Sequence, residues 1–232
     1  FNPGLHLREL SERKTQRFEF FAMKLEEVVF FLEKRLKNKL PGRQGQILMA
    51  PTPVDEARFV ANEPEHVRKG AVLLLLYPGL EGCAVPFIKR PTYKGIHSGQ
   101  VSFPGGKWEV SDESLQITAL RETQEEIGVD RQKIELLGHL SDIYIPPSNF
   151  LISPFIGFIR DQPVFRPNKR EVERIIHCEF SLLMDKKIRK KKSMILHKEY
   201  SVIAPYFEID QEVVWGATAM ILGELLMVWE GN

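Results

Sequence analysis

The residues best suited to chemistry run from a glycine doublet, Gly105-Gly106-Lys107, across an acidic spacer to Arg121-Glu122-Thr123-Gln124-Glu125-Glu126-Ile127-Gly128-Val129. On a helix, Glu122, Glu125 and Glu126 cluster on one side while Ile117, Leu120, Thr123 and Ile127 fall on the other. Glu122 and Glu126 form an i, i+4 like-charge pair with Glu125 between them. On a merely solvated face that repulsion costs roughly a few tenths of a kcal/mol, and no interleaved lysine offsets it. A divalent cation turns the same cost into binding free energy. Carboxylates, joined by a backbone carbonyl that a Pro-Gly-Gly turn lets approach, are the hard oxygen donors Mg²⁺ takes, with substrate phosphates completing the shell. The chemistry implied is metal-assisted attack of water on a P–O–P bridge.

Those groups need a rigid frame. Ser111-Asp112 offers an N-cap for the acidic helix, and Gly128 stands where a left-handed residue would end it. Val101-Ser102-Phe103 reads as a short strand delivering Pro104-Gly105-Gly106. The core begins at Arg68 with an apolar run to Tyr77, closed by Pro78-Gly79, and a second strand, 84–88, lies within hairpin distance. Lys89 to Gln100 reads as a polar loop. Further strand-like segments cover 134–140, 151–159, 172–180 and 195–207. Strands on both sides of a central helix predict an α/β domain over 68–232. Val214 to Trp229 is apolar nearly all round and predicts a helix pressed into the core or into a partner.

Upstream, Leu25, Val28, Val29, Leu32 and Leu36 mark an amphipathic helix ended by Pro41-Gly42, and 42–62 reads as an arm over the domain surface. Residues 23–67 are thus an N-terminal helix and arm. Residues 1–22, which precede Met23, are taken as an extension or mis-started segment. The N- and C-terminal helices could form a homodimer seam.

Composition narrows the partners. Lys plus Arg number 32 against 31 Asp plus Glu, so no global basic field calls for nucleic acid or an anionic membrane. The one dense basic run, Lys186 to Lys192, reads as a solvated hairpin tip without interleaved aromatics. No apolar run reaches the roughly 20 residues of a membrane helix. Cys83 and Cys178, each in an apolar run, suit buried reduced thiols and a cytoplasmic setting.

Gly106, Glu113, Arg121-Glu122, Glu125-Glu126 and Gly128-Val129 resemble the Nudix box, G-x5-E-x7-R-E-U-x-E-E-x-G-U. The register holds from Glu113 onward, Thr123 fills an aliphatic place, and Gly106 lies one residue further from Glu113 than in the general box. The coenzyme A-cleaving branch carries that same insertion. The resemblance implies an α/β/α sandwich with a mixed sheet. It implies Mg²⁺ or Mn²⁺ on Glu122, Glu125 and Glu126 with a carbonyl of Gly105 or Gly106, and Arg121 orienting the acids through Glu113. It also implies a general base, either Glu122 itself or Glu171 downstream.

That branch has an upstream motif, L-L-T-x-R-[SA]-x3-R-x3-G-x3-F-P-G-G, matched here by Arg90, Gly99 and Phe103-Pro104-Gly105-Gly106. Pro86-Phe87-Ile88 replaces Leu-Leu-Thr, Pro91 the small residue, and Gly95 the second Arg, beside Lys94. Arg90, Lys94, His97, Gly99 and Lys107 are the expected substrate-binding residues. The favoured substrate is coenzyme A or an acyl derivative. The alternatives are an ADP-ribose or dinucleotide diphosphatase, and a non-catalytic nucleotide-sensing module.

Overall fold

The computed structural model describes residues 22–59, 65–93, 97–196 and 200–231. Helix α1 (Leu25–Arg35) is followed by a single-turn helix α2 (Arg43–Gln46) and two 3-10 turns (Ile47–Met49, Glu56–Phe59). Then come β1 (Arg68–Pro78), β2 (Cys83–Lys89), β3 (Val101–Ser102), β4 (Gly105–Lys107) and α3 (Leu115–Ile127). The chain continues through β5 (Glu135–His139), β6 (Ile143–Ile145), β7 (Phe150–Phe158), β8 (Arg174–Glu179) and the short α4 (Phe180–Leu183). It ends with β9 (Arg189–Leu196), β10 (Tyr200–Ile209), β11 (Glu212–Trp215) and α5 (Ala217–Glu230).

Strand β1 is the axis. Its unbroken apolar run lets both faces be buried, as a strand covered by helices on either side requires. It runs parallel to β7 over its length, from Arg68↔Phe150 to Leu76↔Phe158. On its other edge it changes partner, pairing with β4 at Gly70–Val72 and with β2 at Tyr77–Pro78, both antiparallel. The resulting mixed sheet runs β3-β2-β1-β7-β5, with β4 on β1, β6 on β7 and β8 on β2; β9, β10 and β11 form a second, antiparallel sheet.

Alternation along β1 assigns the layers. Leu73 and Leu75 pack with Ala119 and Ile127 of α3. Leu74 and Leu76 join Leu25, Val28 and Leu32 of α1 and Leu222 and Leu225 of α5. The domain is an α/β/α sandwich, α3 on one face and α1 with α5 on the other. Burying one such leucine is worth about 2 kcal/mol, so the run holds both helix layers.

Several sequence expectations are corrected. The arm over 42–62 does not lie wholly on the surface: Gln46, Met49 and Ala50 are buried, with 60–64 outside the described residues. The stretch 195–207 is part of a hairpin, β9 and β10, and β6 was not anticipated. The helix expected from Val214 starts at Ala217, because β11 occupies 212–215 and Gly216 turns the chain at φ 64°. Its side chains from Thr218 to Leu226 are all buried within the chain's own core, so α5 is not free to make a dimer seam. The basic run is no hairpin tip: it forms a 3-10 turn and the start of β9, where Lys190 pairs with Glu208. The expected extension, residues 1–22, lies outside the described residues except for Ala22. Cys83 and Cys178 are free buried thiols, each pushed up to about 12, chiefly by burial. No described helix is long and apolar enough to cross a membrane.

The arm is locked to α5 by close backbone approach and a buried carboxylate. A Cβ on Gly223 would lie 2.6 Å from the Gly45 carbonyl oxygen, and one on Gly45 2.6 Å from Glu224 Cα. Fully buried Glu224 accepts from Gly42 N at 3.0 Å, Ser141 N at 3.1 Å and Gln46 Nε2 at 2.9 Å. Replacing it by leucine strands the Gly42 and Ser141 amides, each unmet group costing about 1–3 kcal/mol, while Gln46 Nε2 keeps the Ser141 and Asp142 carbonyls. Glu224→Leu should therefore lower the urea midpoint by the equivalent of about 3 kcal/mol or more, read from equilibrium unfolding against wild type.

Candidate active site

The geometry follows from β4 and α3 crossing at the glycine doublet. Ser114, not Ser111 or Asp112, caps α3, its hydroxyl accepting from Ile117 N, and Gly128 ends the helix at φ 73° as expected. The buried face is centred on Ala119 rather than Leu120. At 100° per residue Glu126 falls only about 20° from Ala119, which carries it inward. Glu126 is accordingly buried, Glu122 partly buried and Glu125 exposed.

Each glycine of the doublet has its own reason. Gly105 adopts φ 151°, and a Cβ there would meet the Ala71 carbonyl oxygen at 2.3 Å. Its N–H donates to Glu126 Oε2 at 2.8 Å. A Cβ on Gly106 would lie 2.4 Å from the Glu122 carboxyl carbon, so that carboxylate rests directly on the bare backbone. Gly70, opposite on β1, is equally constrained, with the Gly106 carbonyl oxygen 2.6 Å from its would-be Cβ.

Arg121 organises the acids, but its partner is Asp112 rather than Glu113. Nε donates to Asp112 Oδ1 and Nη2 to Oδ2, both at 2.9 Å, a side-on fork. Nη1 reaches Glu122 at 3.0 Å and Glu125 at 3.2 Å, and Nη2 also the Lys107 carbonyl at 3.1 Å. All five guanidinium donors are thereby used. Asp112 also accepts from Thr118 Oγ1 at 2.9 Å and Glu109 N at 3.1 Å, while Glu113 is exposed. The Arg121 fork holds the Asp112 carboxyl down at about 2.

Burial moves the site acids the other way. The Glu126 carboxyl is pushed up to about 8, first by burial, with Glu122 and Glu171 adding and Arg90 and the Gly105 N–H opposing. Glu122 is raised too, by burial, with Arg121 opposing and Glu125 and Glu171 adding. Glu171 is thus close enough to be felt by both. It arrives because the loop after β7 docks on the end of α3: Arg166 N donates to Ile127 O at 2.8 Å, Asn168 N to Glu126 O at 2.9 Å, and Glu171 N to Asn168 O at 2.9 Å. Glu171 sits in that turn, ahead of β8 rather than at its start.

The expected substrate residues scatter more. Arg90 turns inward, Nη2 3.8 Å from Glu126 Oε1 and 3.5 Å from the Gly105 carbonyl oxygen. His97 Nδ1 contacts Gln100 Oε1 at 3.1 Å, and Gly99, at φ 64°, closes the loop by donating to Pro91 O at 3.2 Å. Lys107 exposes its side chain and contributes its carbonyl to Arg121. Lys94 lies outside the described residues. Asp112 and Gly70 are the residues sequence reasoning missed. Asp112 carried a signal, an acid beside Glu113 in the same spacer, but spacing alone does not say which of two neighbours turns inward.

Among the described residues no group of three or more His, Cys, Asp and Glu side chains is gathered tightly enough to enclose a metal ion. Arg121 holds Glu122 and Glu125 to itself, while Glu126 points at Gly105 N. The donor set nonetheless suits a hard divalent cation. It is carboxylate and carbonyl oxygen throughout, it includes two acids whose charged forms are short of stabilisation, and it borders a cradle on Gly106 that a methyl group would fill.

The NUDIX domain model matches residues 66–193. The chain is 33% identical over 161 residues to Nudix hydrolase 22, chloroplastic, of Arabidopsis thaliana, an alignment covering 67% of this chain and 53% of that one. It is 34% identical over 139 residues to the uncharacterized Nudix hydrolase NudL of Pectobacterium atrosepticum, covering 56% of this chain and 67% of that one. The chain therefore spans about half the length of the plant relative and two thirds of the bacterial one. Among solved structures, a MutT/nudix family protein from Enterococcus faecalis superposes with a TM-score of 0.44 at 17% identity, over 73% of this chain and 62% of that one.

The Asp112 fork yields a pH test. Its carboxyl is lowered in the folded chain, so its stabilisation is fully present above the unfolded value near 4 and is lost as pH falls through about 2. Asp112→Asn should cost about 2 kcal/mol at pH 7. The gap to wild type should narrow steadily below pH 4 in urea unfolding, and a gap constant down to pH 2 would contradict the assignment.

Proposed function

The chain belongs to the NUDIX domain family, and on that footing we propose that it is a divalent-metal-dependent diphosphatase of nucleoside diphosphate derivatives. Coenzyme A or acyl-CoA is the favoured substrate, water adding across the P–O–P bridge to give 4′-phosphopantetheine and adenosine 3′,5′-bisphosphate. The observation that carries the reading is the placement of two carboxylates of one helix on the two glycines of strand β4: Glu126 on Gly105 N and Glu122 against Gly106. The relatives named as Nudix hydrolases support the hydrolase class.

Glu122, Glu125 and Glu126, with the Gly105 or Gly106 carbonyl, are the groups that would hold Mg²⁺ or Mn²⁺. When bound, such a cation neutralises the diphosphate, stabilises the leaving oxygen and lowers the pKa of a coordinated water. The protein's own residues do the positioning. Arg121, with its five donors spent, fixes the rotamers of Glu122 and Glu125 and is itself fixed by Asp112. Glu171, in the turn ahead of β8, would take a proton from the attacking water, with Glu122 the other candidate. Arg90 and Lys107 would supply cations to the substrate phosphates, and Lys94 is the further cation that the sequence offers in the same loop.

A second reading, an ADP-ribose or dinucleotide diphosphatase, is favoured by one observation. Gly95 stands where the coenzyme A motif has its second arginine, so a bidentate phosphate grip is missing. A direct assay separates the two: hydrolysis of coenzyme A, ADP-ribose, NADH and diadenosine polyphosphates with each metal. Glu126→Gln should lose roughly 100-fold or more in kcat while folding normally. Gly106→Ala should do the same, because its methyl takes the space of the Glu122 carboxylate and pushes that side chain off Arg121, with no backbone atom among its nearest neighbours. No turnover of any diphosphate by the wild-type chain would end the proposal.

A further inference from the structure

Two arginines face the acid cluster, and they are held very differently. Arg121 spends every donor on short contacts and is only 15% exposed. Arg90, 29% exposed, makes two long contacts among the described residues, 3.8 Å to Glu126 Oε1 and 3.5 Å to the Gly105 carbonyl oxygen. Its backbone, by contrast, is pinned. Arg90 N donates to Gln100 O at 3.0 Å, and the preceding Lys89 is clamped to Glu212 at 2.7 Å, with its carbonyl accepting from Glu173 N at 2.8 Å. A fixed backbone carrying a loosely held, part-exposed guanidinium is a side chain free to swing.

The two oxygens Arg90 approaches belong to residues assigned above as metal ligands, and the inference rests on that assignment. A guanidinium and a divalent cation cannot both occupy one pair of oxygens, because like charges a few ångströms apart in a half-buried site repel strongly. We infer that Arg90 is an exchangeable counter-cation: it neutralises buried Glu126, yields Glu126 and the Gly105 carbonyl to the divalent cation, and then turns its freed fork to phosphate oxygens of the substrate. Metal loading and anion capture are coupled through one side chain. Arg121 cannot play this part, since leaving its contacts would strand Asp112, whose side chain is 2% exposed.

The test uses the full chain, stripped of divalent ions with a chelator and without substrate. Mg²⁺ is titrated calorimetrically at pH 8.5 into wild type and Arg90→Gln. Removing the competing cation should tighten Mg²⁺ binding about three- to tenfold. A second readout needs no variant. Phenylglyoxal labelling of wild-type Arg90, followed by mass spectrometry, should rise when Mg²⁺ is added while Arg121 stays protected. Mg²⁺ binding that is unchanged or weaker in Arg90→Gln, or labelling of Arg90 that does not rise, overturns the inference and leaves the metal assignment standing. Failure of wild type to bind Mg²⁺ at all overturns both.

Discussion

The structure turns on keeping acids together against their mutual repulsion while part of the set is withdrawn from water. An isolated buried carboxylate is held only by protonation or by compensating partners. Here compensation comes in three forms: a backbone N–H from Gly105 to Glu126, the Arg90 guanidinium near the same carboxyl, and the Arg121 fork across Glu122 and Glu125. Together they do not suffice, since burial raises both the Glu126 and the Glu122 carboxyl despite them. That residual deficit makes the cluster receptive to a further positive charge.

The surrounding fold can be understood as what holds those partners in place. β1 must give one edge to two different strands, because β4 carries the glycine doublet to α3 while β2 carries Arg90 to the same point. The close approach of β4 to β1 requires Gly70 as well as Gly105, while Gly106 makes room for the Glu122 carboxylate. Beyond β2, Glu212 bridges Lys89 and Arg174, and Arg174 reaches Asp210, tying the β10–β11 turn to the base of the Arg90 loop. On the opposite face Glu224 and Gln46 fix the Ser141–Asp142 loop, and Asp142 accepts from Ser153 at 2.7 Å on β7. Ser153 pairs with Ala71, which pairs with Gly106, so the buried polar network of the arm ends in the sheet row that floors the site.

Much of this was legible where a local rule decides the outcome. Helix α3 follows from 3.6-residue periodicity, and Gly128 marks its end because only glycine takes that left-handed turn cheaply. β1 follows from an apolar run bounded by Pro78-Gly79. What failed was decided by tertiary contacts. The hydrophobic wheel centred α3 on Leu120, whereas the sheet takes Ala119, whose small side chain allows close approach; Glu126 is carried inward with it. The hairpin of β9 and β10 was hidden because Arg189-Lys190-Lys191-Lys192 has no apolar alternation, its pairing resting on cross-strand contacts such as Lys190 with Glu208. Gln46 read as surface because its burial depends on Glu224, 178 residues away.

The distinction between the three glutamates follows from the same geometry and is the part with most bearing on chemistry. As a motif they are equivalent; in the fold they are graded. Glu125 is exposed and held only by Arg121, Glu122 lies half-buried on a bare glycine, and Glu126 is sealed and bonded to backbone. A ligand entering from solvent meets them in that order of increasing desolvation, and the electrostatic gain per charge rises along it as the effective dielectric falls. Under the proposed metal assignment the innermost acid would contribute most to cation binding, and it is also the one whose exposure to water would cost the site most. That asymmetry explains why the structure devotes the Gly105 N–H, with no side chain able to intervene, to Glu126 rather than to its neighbours.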